Sequence, residues 1–200
     1  MILYSLHMTG IHRLDLILPQ SLAITKIQTS QEMHNITYVA LGAGLLWFGW
    51  FGFNGGSTLA ANGQAAIAFV NTDVCASLAM VTWLFISWVH DGKPSMTGAM
   101  AGAVAPAAGF VQPWASAVMG VVTAFVCYGA IQLRRQWGWD DALDVWACHG
   151  MGGTLGTILT GVFAAAAVGS ASGLIEGNWH QLGVAGYLLP LCASGRGTGP

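Results

Sequence analysis

The long stretches without charge constrain this chain most. Residues 33–72, 94–133 and 145–175 contain no Asp, Glu, Lys or Arg. Crossing a hydrocarbon core of about 30 Å takes about 20 apolar helical residues, and each of these runs is long enough. Charged residues make up only 7% of the 200 and apolar ones 54%, whereas a soluble chain carries about 25% charge. So few charges cannot cover a globule, and low charge with high hydrophobicity is the opposite of a disordered composition. With a net charge of −2 and no basic stripe, nucleic acid is excluded as a partner. The chain reads as all-α, a polytopic bundle of membrane helices.

The charges that remain mark helix ends. Arg13, Asp15, Lys26 and Glu32 lie before the first uncharged run; Asp91 and Lys93 form a pair; Arg134, Arg135, Asp140, Asp141 and Asp144 form a cluster. Spans are therefore expected at about 37–57, 64–89, 95–111, 114–133 and 145–168. The apolar piece 182–193 is too short to cross and holds a proline. Lys93 follows the second span, and Arg134 and Arg135 follow the fourth, so all three fall on one side if all five cross. The excess of Lys and Arg on cytoplasmic loops makes that side the cytoplasm and starts the first span there. This predicts a multi-pass protein of the cell membrane. Residues 1–33 mix charge with short apolar pieces and lack the layout of a secretory signal. The small, polar end of 185–200 reads as a disordered tail. Cys75, Cys127, Cys148 and Cys192 are scattered without a C-x-x-C pair, and are expected to be buried, reduced thiols.

Few residues in the spans can carry chemistry. At 100° per residue, Gly49, Gly52 and Gly56 share one face of the first span, and Trp50, Phe53, Asn54 and Ser57 share a neighbouring one. The glycine face suits close helix contact. The second face offers π surfaces, an amide and a hydroxyl. It is either lining for a small cationic solute or an interfacial aromatic belt. His149, at the start of the fifth span, is an ionisable group inside a membrane helix, which faces a cavity or the bundle interior. It either passes protons and hydrogen-bonds a solute or bonds a neighbouring carbonyl. Asp73 is the one acid inside a span; counted from Gln64 it lies about 13 Å into the helix. With Asn71 and Thr72 beside it, it marks a candidate intramembrane polar site. Asp140, Asp141 and Asp144 precede the fifth helix and are read as caps complementing its dipole. No metal-ligand set or cofactor motif is present.

The segments LWFGWFGFNGGS (46–57), AIAFVNT (66–72), GKPS (92–95), PAAGF (106–110), DDALDVWACHG (140–150) and TGVFA (160–164) together resemble the ammonium transporter family (Amt/Mep/Rh). The resemblance runs over 34–184, leaving 1–33 and 185–200 unmatched. It implies a fold of eleven membrane helices per subunit, homotrimers, and a pore between two inverted five-helix halves. The present spans resemble the sixth to tenth helices. Residue by residue, it implies that Ser57 belongs to an external ammonium-recruitment site and that Phe53 is one gate phenylalanine. Trp50 then lines the same route, and His149 is the second of two pore histidines. Ammonium would be deprotonated, and ammonia and a proton would pass an apolar pore, which avoids the cost of desolvating a bare cation.

The motifs of the family's first half, with the other pore histidine and gate phenylalanine, do not appear in this sequence. The eleventh helix is likewise unmatched, as is the tail on which the family docks nitrogen-regulatory signalling proteins. The third span is short, about 25 Å at most, and Asp73 stands where a neutral residue is expected. Three functions follow: ammonium transport; a half-transporter that conducts only with a separate first-half chain or a larger assembly; and an intramembrane enzyme using His149.

Overall fold

The computed structural model describes residues 35–95, 109–139 and 144–194. Three long helices dominate: α1 (Ile36–Gly56), α2 (Gly63–Asp91) and α3 (Pro113–Trp137). At about 1.5 Å per residue each exceeds the thickness of a bilayer core. Among the described residues these are the three helices long and apolar enough to cross. The helices stop where local chemistry stops them. Asn62 caps α2 by accepting the Ala65 N–H through Oδ1 at 3.0 Å, and Pro113 starts α3, where its missing N–H costs nothing. Gly92 and Gly138 close α2 and α3 with φ of 72° and 67°, a left-handed conformation that glycine adopts without strain.

The core lies between α2 and α3. On α2 the buried residues Ala68, Thr72, Ala76, Ala79, Trp83 and Ser87 repeat every three or four positions, forming one stripe of mostly small side chains. Ala115, Met119, Ala124 and Cys127 of α3 face it. Small residues let helix backbones approach closely, which is how helices associate in lipid. A buried polar bond ties α2 to the segment before α3: Asn71, fully buried, donates Nδ2 to the Val111 carbonyl at 2.7 Å. Asn71→Leu removes the donor and strands the carbonyl. Its expected cost is about 1–2 kcal/mol, read as an earlier midpoint in an SDS unfolding titration. Cys75, Cys127 and Cys148 are buried as expected.

The fifth span differs from its expectation. It begins as a π-helical turn, Trp146–Met151, runs into α4 (Gly152–Phe163) and stops there, short of 168. Ala164 becomes extended and pairs antiparallel with Val111. Ala165 N–H reaches the Phe110 carbonyl at 2.9 Å, and Gly173 N–H reaches the Ala164 carbonyl at 2.8 Å. Those cross-chain bonds compete with the helix and win. A short α5 (Ala166–Gly169), a 3₁₀ turn (Leu174–Glu176) and α6 (Trp179–Ser194) follow. The tail expected to be disordered from 185 is thus helical as far as Ser194, because α6 docks on α4. Ala185 is buried, and its methyl lies 3.2 Å from where a Cβ on Gly161 would sit. Most of the expected third span, 95–111, lies outside the described residues, as do 1–33, Asp140 and Asp141.

Candidate functional site

α1 carries Trp50, Phe53 and Asn54, with Ser57 in the turn just past its end, and none of its residues is buried. It meets α2 near its C-terminal end. Phe51 stacks on Phe69 with centroids 4.2 Å apart, and Asn54 donates Nδ2 to Thr72 Oγ1 at 2.9 Å. Asn54 thereby turns its amide toward α2 and fixes the azimuth of the helix. Trp50 and Phe53 sit one turn apart, rings 6.0 Å between centroids and tilted at 50°. With Leu45, Leu46 and Gly49 they line an open apolar groove of about 410 Å³. Phe53 is 71% exposed. Ser57, also exposed, donates its hydroxyl to the Phe53 carbonyl at 2.7 Å, so its oxygen lone pairs remain available to a donor or cation.

Among the described residues, the glycine face does not make the close helix contact expected of it. A Cβ on Gly49, Gly52 or Gly56 would meet nothing within 4 Å, whereas one on Gly55 would lie 3.7 Å from the Ala65 carbonyl oxygen. The face is open because α2 crosses α1 beside it.

His149 comes from a different element, the π-helical turn, and is also exposed. Asp73 does not join the polar contact formed by its neighbours. Asn71 and Thr72 turn inward, while Asp73 points out from the exposed side of α2. Consecutive helical residues diverge by 100°, so Asn71 and Thr72 cannot bring Asp73 in with them. Asp144 sits at the head of the π turn. Its carbonyl accepts the Cys148 N–H at 2.9 Å, and its carboxylate Oδ1 lies 2.9 Å from Nε of Arg134. The acid read as a helix cap is therefore engaged by a cation on α3. Among the described residues no group of three metal-ligating side chains converges.

Sequence reasoning missed two features. A wide turn leaves no periodic signature, since one residue of extra register looks like noise in an apolar run. Arg134 is only 4% exposed, yet as half of an Arg-Arg pair at a helix end it reads like Arg135, which is exposed.

The family model described as Ammonium Transporter Family matches residues 16–190. The chain belongs to the ammonium transporter family. The match extends beyond 34–184 at both ends. The chain is 43% identical over 180 residues to the ammonium transporter of Bacillus subtilis, covering 84% of this chain and 45% of that one. It is 47% identical over 161 residues to that of Aquifex aeolicus, covering 77% and 38%. Among solved structures, Candida albicans Mep2 superposes with a TM-score of 0.76 at 36% identity, covering 82% of this chain and 39% of that one. Saccharomyces cerevisiae Mep2 gives 0.74 at 38% identity, covering 81% and 39%. The chain thus spans less than half the length of the curated relatives it matches. It is a multi-pass membrane helix bundle of the ammonium transporter fold, and the two curated relatives are named as ammonium transporters.

Proposed function

We propose that this chain supplies one wall of a conduit for ammonium and ammonia in the cell membrane, equivalent to the sixth to tenth helices of the family. The observation that carries this reading is the exposed α1 stripe, in which Trp50, Phe53 and Ser57 stand along one side of a helix with no buried residue. An aromatic pair beside a hydroxyl oxygen attracts a small cation by its ring quadrupoles and lone pairs. Ser57 and Phe53 then recruit ammonium, Trp50 lines the route, and His149 relays the proton or hydrogen-bonds ammonia. The second wall comes from a first-half chain or segment, and the family's homotrimer is the assembly expected of the complete transporter. Lipid covers the remaining apolar surface.

The same exposure favours a second reading, that these 200 residues conduct nothing by themselves. A route open along one whole side admits lipid and cannot hold water or ammonia in file. Methylammonium uptake in transporter-deficient cells is expected to stay at background with this chain alone. Co-production of the first five helices of a related transporter should raise it, and His149→Ala should return it to background. Robust uptake by the chain alone would overturn the half-wall reading. Restored uptake that is indifferent to His149→Ala would overturn the role given to that residue.

A further inference from the structure

The π turn determines where His149 points. Ala147 and Cys148 are both buried, His149 is exposed, and Gly152 is buried again. An α-helix traced back from Gly152 at 100° per residue would leave His149 only about 60° from Gly152 and Ala147 about 140° away. The imidazole would then aim at Cys127 Sγ and Thr123 Cγ2, the atoms a Cβ at position 152 would meet at 3.3 and 3.8 Å. A turn closed at i→i+5 advances about 80° per residue, which puts Ala147 and Cys148 each about 40° from Gly152 and His149 about 120° away. The observed burial follows the second pattern.

The head of that turn is anchored. Asp144 adopts φ 52°, a left-handed conformation that aspartate tolerates better than most residues. Its carboxylate lies 2.9 Å from Nε of Arg134, which is 4% exposed and donates through Nη1 to the Trp139 carbonyl at 3.1 Å. Trp146 packs edge-on against Trp139 with centroids 5.4 Å apart.

We propose that Arg134, through its ion pair with Asp144, is the positioning residue that holds Trp146–Met151 in π register and so turns His149 out of the helix core. Pinned at Asp144 by Arg134 and at Gly152 by its burial on α3, where a Cβ would already crowd Cys127 Sγ at 3.3 Å, the segment between holds one residue more than α geometry takes up. The excess becomes the wide turn. The register itself is independent of what His149 does; only its consequence for transport rests on the proposed function.

Single cysteines placed by Ala147→Cys or His149→Cys, with Cys75, Cys148 and Cys192 changed to serine and the buried Cys127 kept, report the register in the full chain in proteoliposomes. Maleimide is expected to label position 149 and spare 147. In the double variant Arg134→Met/Asp144→Asn, which leaves no charge unpaired, labelling should slow about tenfold at 149 and quicken about tenfold at 147 as the two exchange burial. Arg134→Lys, which can pair again, should keep the parent pattern. A cysteine at the buried Ala79 reports on the fold. An unchanged pattern with position 79 still protected overturns the proposal. Loss of protection at 79 in the double variant also overturns it, because Arg134 then holds the bundle rather than the register. Methylammonium uptake by the assembled transporter is read separately. An exchanged pattern with uptake intact would remove His149 from transport and leave the register assignment standing.

Discussion

Gly120→Val is expected to abolish the native contact between α2 and α3 and, with it, most of the folded protein recovered from membranes. A Cβ on Gly120 would lie 2.4 Å from the Cys75 carbonyl oxygen, 3.1 Å from its carbon and 3.2 Å from its Cα. All three are backbone atoms of a helix interior, which cannot swing aside as the tip of a side chain can. The helices must separate, and the contacts of Cys75, Ala79, Ala115 and Met119 on either side loosen together. Overpacking a core by one or two methyl groups costs about 1–3 kcal/mol. In a bilayer no hydrophobic force pulls the helices back, because lipid tails are as apolar as the side chains they replace. Gly120→Ala should therefore lower stability by about 1–3 kcal/mol, and valine by more. Gly129, on the same helix, is exposed and would meet nothing within 4 Å, so Gly129→Ala should be silent. SDS unfolding of the three variants checks this, and equal midpoints for Gly120→Ala and Gly129→Ala would show that α2 and α3 do not approach as described.

The helices themselves were legible because charge punctuates them. Reading 37–57, 64–89 and 114–133 from where the charges fall comes within a few residues of Ile36–Gly56, Gly63–Asp91 and Pro113–Trp137. The largest discrepancy has a physical cause. Arg134 reads as the end of a span, but it is buried by its partner Asp144, and the helix continues to the Gly138 cap. Phe163 and Ala164 show the opposite failure. The apolar run continues past them, but hydrogen bonds to Phe110 and Gly173 draw the chain out of the helix, and Phe110 is distant in sequence. At the site, the shared face of Trp50, Phe53, Asn54 and Ser57 followed from helical period alone. The turning of Asn54 toward Thr72 and the outward placement of Asp73 depended on which face α2 buries. The π turn at His149 depends on Arg134 and on Gly152's contact with α3, neither of which marks the local sequence.

Arg134→Met is expected to cost about 3–5 kcal/mol, because it leaves the Asp144 carboxylate partly buried with its cation gone. A surface ion pair would be worth less than about 1 kcal/mol, and burial separates the two cases. The side chain of Arg134 is 5% exposed and that of Asp144 24%, with Nε to Oδ1 at 2.9 Å. Asp144→Asn should be costly in the same sense, since it strands the guanidinium. The double variant Arg134→Met/Asp144→Asn should recover much of the loss, because replacing a buried pair by neutral groups of similar size is often close to neutral. The double-mutant cycle therefore carries a coupling energy well above that of an exposed pair. It should also change little between low and high salt, since buried charges are screened weakly. SDS unfolding of the parent, both single variants and the double variant measures it. Single variants that lose less than about 1 kcal/mol, or a coupling that collapses in salt, would place the pair at the surface and remove the anchor from the head of the π turn.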